Sequence, residues 1–142
     1  MAKLNLEPIK QSLFKTNIMV HSAHINAGNH LGHDSLVSLI QEAREQLFNS
    51  FGVSEYGGDG FGIMIGNISV EYLNEAQLDD ELEFKLGLGK LGHSSFELLY
   101  QIYNQDHIEI ARALTTSIVC DLKTRKSIAI PNKVLDVFHS KA

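Results

Sequence analysis

The chain has 142 residues, and 17 acidic side chains against 12 basic ones give a formal net charge of −5. That length suits one domain, because two separate cores would each be marginal. Hydrophobic residues at 44% and charged residues at 20% exclude a disordered acidic chain. The negative balance and a pI near 5.7 exclude a protein that binds by neutralising phosphates, so no nucleic-acid partner is expected. No apolar run of about 18 residues is present, so no membrane span is expected. Lys3, Glu7 and Lys10 interrupt the first segment and deny it the apolar stretch of a signal peptide. Cys120 is the sole cysteine, which rules out an intrachain disulfide and fits a reducing cytoplasm. Pro8 and Pro131 lie near the ends, and nothing between them reads as a linker or repeat, so residues 1–142 are read as a single domain.

Phe14 to His21 is a short apolar run with strand character. The polar stretch that follows, SAHINAGNHLGHD, reads as a loop. From Ser35 the period changes: Leu36, Leu39, Ile40, Ala43 and Leu47 recur at steps of three and four. This predicts a helix of roughly 16 residues, capped by Asp34 or Ser35 and stopped near Gly52. After a glycine-rich loop from Tyr56 to Gly60, Phe61 to Leu73 alternates as a strand with Gly66 as a bulge. Glu75 to Asp80 is a polar turn. Leu82 to Leu88, Phe96 to Tyr103 and Ile108 to Leu122 are further strands, and Ser127 to Ile130 a short last one. Asn132 is placed to cap a small terminal helix. One long helix with a wide apolar face and five to six antiparallel strands predict an α+β fold, a curled sheet wrapped around the helix. Long strands leave edges to cover, so a homo-oligomer is expected.

The segment HINAGNHLGHDSLVSLIQEAR (24–44) is similar to the D-x-D-x-x-G-H-x-x-N stretch, followed by a helix ending in E-A-R, of the hotdog-fold thioesterases. The resemblance is especially to the group that includes 4-hydroxybenzoyl-CoA thioesterase. Further resemblance lies in ISVEYLNEAQLDDELEF (68–84), Ser95-Phe96, IARA (110–113) and Ile130-Pro131, so it spans most of the chain. It implies hydrolysis of an acyl-CoA-like thioester by a homodimer or homotetramer. Aligned back from Glu42-Ala43-Arg44, His24 and Asn26 stand where the family pattern has its two aspartates. His30 matches the motif histidine, and Asn29 stands where glycine is usual. Asn26 cannot accept a proton, so the version of the chemistry that suits this chain uses a carboxylate from the helix to activate water.

Thioester hydrolysis needs a group to polarise the carbonyl, one to handle water, and room for the acyl and pantetheine arms. A helix start supplies the first, since its leading N–H groups lack partners and its dipole favours negative charge. By resemblance the His33 N–H is the oxyanion donor, with Gly32 admitting the substrate. Asn26 orients water or the thioester, and His30 donates to the carbonyl or tunes a neighbour. Asp34 is either a helix cap or a catalytic carboxylate. Glu42, beside Ala43 on the apolar stripe, is either a base or a solvated residue paired with a neighbour such as Arg44. His21, His24, His30 and His33 fall within 13 residues, but no helical H-x-x-x-H spacing joins them. A polar active-site mouth is therefore expected, with no metal and no cofactor. By resemblance, Lys90, His93 and Ser94 form a turn that holds CoA phosphates; the basic turn of Lys123, Arg125 and Lys126 is a second such candidate. A hotdog hydratase or dehydratase and a non-catalytic acyl-CoA binder remain as alternatives.

Overall fold

Alternating apolar side chains along five segments build one antiparallel sheet in this computed structural model, which describes residues 5–56 and 58–139. Lys3, weighed above against a leader segment, and Gly57 of the glycine-rich loop lie outside those residues. The strands are β1 (Ser12–Met19), β2 (Phe61–Tyr72), β3 (Glu81–Leu91), β4 (Ser95–Tyr103) and β5 (Glu109–Asp121). Their order across the sheet is β1-β3-β4-β5-β2. Helix α1 (His33–Ser50) packs on one face, and α2 (Asn132–His139) closes one end. This is the α+β, helix-on-curled-sheet arrangement that the hydrophobic periods predict.

The alternation decides which face meets the helix. Leu82, Phe84 and Leu86 of β3 and Phe96, Leu98, Tyr100 and Ile102 of β4 are buried in one cluster with Leu36, Leu39, Ile40, Ala43, Leu47 and Phe48 of α1. Phe138 of α2 joins them through ring contacts with Phe48 and Phe96 at 6.5 and 4.8 Å. Burying such aromatic and aliphatic side chains contributes about 1.5–3 kcal/mol each. The register of β2 on β5 shifts between Ile65 and Asn67, which puts the expected bulge at Gly66. On the opposite face the segment before β1 crosses the sheet. There the Ile9 N–H donates to Gln101 Oε1 at 2.9 Å, and Arg112 Nη1 donates to the Leu6 carbonyl at 2.9 Å.

Four local expectations need correction. The first strand ends at Met19 rather than His21, because Ser22–His24 forms a 3-10 turn whose start is fixed by the His21 N–H donating to His24 Nδ1. Helix α1 is capped by Gly32, not by Asp34 or Ser35. The Gly32 carbonyl accepts the first helical bond from Leu36, so Asp34 is already inside the first turn and makes no cap bond. Residues 127–130 form no strand. Pairing of β4 with β5 reaches only Ser95 opposite Ile118, which leaves three residues of β5 for a single bridge at Ser127. Helix α2 begins at Asn132 itself, while the Pro131 carbonyl accepts from Val134 and Leu135.

Candidate active site

The loop before α1 is a tight, self-bonded turn. Ile25 bridges Leu31, the Asn26 N–H donates to the His30 carbonyl, and the Asn29 N–H donates to the Asn26 carbonyl, both at 3.0 Å. Closing that turn needs one residue in the left-handed region. Asn29 takes it with φ of 65°, a conformation asparagine tolerates better than most residues. An asparagine can therefore stand where the related pattern has glycine.

Two glycines hold the reactive side chains close to the backbone. A Cβ on Gly28 would sit 3.1 Å from His30 Nε2 and 3.2 Å from Asn26 Oδ1, so the imidazole and the amide converge on one point. A Cβ on Gly32 would sit 2.6 Å from Asp34 Oδ1 and 3.5 Å from Asn26 Cβ. The Asp34 carboxylate thus folds back over the start of α1 instead of capping it. The Gly32 N–H is taken by the His24 carbonyl at 2.9 Å, whereas the N–H groups of His33, Asp34 and Ser35 find no acceptor among the described residues. Three unpartnered donors at a helix start make a site for negative charge.

These groups open onto a cleft of about 310 Å³ lined by Asn26, His30, Gly32, His33, Leu36, Tyr72, Glu75 and Ile110, among others. Its floor is apolar and its rim polar. Tyr72 donates its hydroxyl to the His33 carbonyl at 2.9 Å. Burial, and then the nearby Asp34 charge, push the Tyr72 phenol up from its ordinary value, so it stays a donor. His30 lies 3.1 Å through Nδ1 from the Leu31 carbonyl and 3.7 Å through Nε2 from Glu75 Oε1.

Asn26, His30 and His33 line the cleft, Asp34 lies beside it with its carboxylate over Gly32, and the other candidates stand apart from it. Glu42 is exposed on the flank of α1, not set beside a buried face as expected, and Arg44 does not pair with it. Arg44 instead holds Glu55 at 3.0 Å inside the core. Burial pulls the Arg44 guanidinium down, but Tyr100 and Glu55 facing it leave it raised overall; burial pushes the Glu55 carboxyl up against the pull of Arg44. Lys90, His93 and Ser94 lie at the β3–β4 turn, away from the cleft of the same chain. The Lys90 N–H donates to Glu97 Oε1, and the His93 carbonyl accepts from Ile130. Among the described residues no three His, Cys, Asp or Glu side chains group as metal ligands. No helix there is long and apolar enough to cross a membrane.

Sequence reasoning missed Tyr72 and Glu75. Tyr72 read as one member of an alternating strand and Glu75 as turn polarity. Only the pairing of the loop with the β2–β3 turn, through the Leu31 N–H on the Ala76 carbonyl at 2.8 Å, makes them neighbours of His30 and His33.

A model of the thioesterase-like superfamily matches residues 20–138. The long-chain acyl-CoA thioesterase FadM of Escherichia coli is 27% identical over 84% of this chain and 92% of its own. The 1,4-dihydroxy-2-naphthoyl-CoA thioesterase of Synechocystis superposes with a TM-score of 0.82 at 20% identity, over 88% of this chain and 94% of the other. A Staphylococcus aureus protein solved in complex with CoA has a TM-score of 0.82 at 17% identity, over 97% and 90% of the two chains. The last two show a common fold.

Proposed function

The chain belongs to the thioesterase-like superfamily, and from that premise we propose that it hydrolyses an acyl-CoA thioester to a free acid and a thiol. One observation carries the reading: the His33 N–H, without an acceptor among the described residues, stands at the start of α1 where His33 lines an apolar cleft together with Asn26 and His30. The thioester oxygen takes the His33 N–H as its donor, and the acyl group lies against Leu36 and Ile110. Charge that builds on the oxygen during attack is then met by donors already in place. Asn26 spends its Oδ1 on the Gly28 N–H at 2.9 Å, which turns its amide NH₂ outward to hold water or the carbonyl. Asp34 adds a carboxylate over Gly32.

The proposed working form is a homodimer, or a tetramer built from it. Its support is the uncovered edge of β2, where Met64, Ile65 and Ile68 are each about 40% exposed. In that form Lys90, His93 and Ser94 of one copy serve the CoA phosphates at the cleft of another. Glu42, exposed on α1, takes part in catalysis only across such a boundary. The proposed location is the cytoplasm, which suits a chain whose one thiol, Cys120, is buried and unpaired.

Incubating the protein with short, long and aromatic acyl-CoAs and a thiol reagent tests the reading. Release of CoA from at least one class is expected, and silence across all three overturns it. Asn26 in place of a carboxylate favours one alternative, acyl-CoA binding without turnover, which calorimetry on the same panel would reveal. Glu42→Gln at the parent rate would remove Glu42 from the mechanism.

A further inference from the structure

The site has an amide where its relatives' pattern has a carboxylate, and the cleft holds a carboxylate that comes from elsewhere in the chain. Glu75 sits in the β2–β3 turn, and the Leu31 N–H bond to the Ala76 carbonyl at 2.8 Å ties that turn to the residue after His30. His30 Nδ1 is 3.1 Å from the Leu31 carbonyl. A carbonyl oxygen can only accept, so Nδ1 carries the hydrogen and Nε2 is the nitrogen with the free lone pair. That Nε2 faces Glu75 Oε1 at 3.7 Å, and it lies 3.1 Å from the point where a Gly28 Cβ would sit, which Asn26 Oδ1 approaches to 3.2 Å.

We propose that Glu75 is a positioning residue that, through His30, makes Nε2 the proton acceptor for the attacking water. The inference rests on the hydrolase reading above. Water held by the Asn26 amide gives a proton to Nε2, and its oxygen forms a bond to the thioester carbon. The carbonyl π pair moves onto oxygen, where the His33 N–H receives it. The pair on that oxygen then re-forms the carbonyl double bond as the carbon–sulfur bond breaks with its electrons on sulfur, and the proton on Nε2 passes to that sulfur. The products are a carboxylic acid and the CoA thiol, and the imidazole returns to its starting state. Between the two transfers the ring is an imidazolium, and Glu75 is the carboxylate that faces its charge. The Glu75 side chain is 68% exposed, so as a static ion pair it contributes little to stability and its effect is on rate.

The test uses the acyl-CoA that the wild-type protein hydrolyses best. Glu75→Gln should lower kcat about 100-fold, the scale of losing assistance to a general base, with KM changed less than about twofold. Glu75→Asp should recover part of that loss, and formate added to Glu75→Ala should restore rate in proportion to its concentration. The urea midpoint of Glu75→Gln should match the parent. An active wild type with Glu75→Gln at the parent rate, a loss confined to KM, or no response to formate would each overturn the inference and leave the hydrolase reading standing. A wild type that hydrolyses nothing would overturn both.

Discussion

At each end of α1 a basic side chain faces a carboxylate, and the two pairings are opposite in kind. Arg44 and Glu55 meet at 3.0 Å with side chains only 5% and 4% exposed, under Tyr100 and the aromatic cluster. His30 and Glu75, just before the helix start, stand 3.7 Å apart and are 31% and 68% exposed. The first pair is dry and bonded, so each charge depends on the other. The second is wet and loose, so a substrate can come between its members. One helix thus has an end where charge is locked into the fold and an end where charge is free to react.

The strongest way to break that contrast is Arg44→Ala. It leaves Glu55 buried without its partner and should cost about 3–5 kcal/mol in urea unfolding, while the folded fraction keeps its specific activity. Removing both charges in Arg44→Leu with Glu55→Leu should recover much of the loss. At the wet end the effects should fall on rate instead. Asn26→Ala should slow hydrolysis about 100-fold with an unchanged urea midpoint, and Asn26→Asp should keep or raise activity. Gly32→Ala places a Cβ 2.6 Å from Asp34 Oδ1. It should swing that carboxylate aside and cost about tenfold in kcat/KM, read from steady-state rates. Tyr72→Phe should lose only the bond to the His33 carbonyl, about 1 kcal/mol in the unfolding free energy.

Two carboxylates sharpen the comparison through pH. Burial holds the Glu55 carboxyl above its ordinary value of 4.5, so the folded chain binds that proton more tightly than the unfolded one. Its contribution to stability therefore declines as pH rises from 4.5 through the folded value, and Glu55→Gln should flatten that slope. Glu109 is the reverse. Its bond from Arg112, helped by Gln101, holds it below 4.5, so its contribution is present above 4.5 and is lost as pH falls through the folded value. Glu109→Gln should shrink the acid loss in a pH series of urea midpoints.

The periods of three-to-four and two along the chain made α1 and the four long strands legible, because a buried stripe must repeat with its backbone. The Gly66 bulge was legible as a break between two alternating sets. The cap was not: Asp34 has the right chemistry, but Gly32 stands one residue before the first turn, and only backbone geometry separates those roles. The loop residues Asn26, His30 and His33 could be picked out because they fall within one short segment that resembles the family's loop motif. Glu75 and Tyr72 could not, since their nearness to His30 and His33 is created by pairing β2 with β5 and docking the next turn on the loop. Glu42 shows the converse, a residue one position from the apolar stripe that the true helix phase turns outward.

The segment that crosses the back of the sheet has a consequence for the order of assembly. Ile9 reaches its acceptor on Gln101 across 92 residues of sequence, and the Leu6 carbonyl meets Arg112 across 106. β2 likewise must wait for β5, on the far side of β3 and β4, before it has a strand to pair with. The stretch before β1 therefore precedes its partners in the chain and is among the last parts that can dock, since its acceptor and donor lie on strands that must align first. Closing such long loops is entropically slow, and the chain is expected to fold on the slower side for its size. While it does so, the apolar face of β2 is uncovered. The same strand that later borders the cleft is the one most exposed to wrong partners during folding.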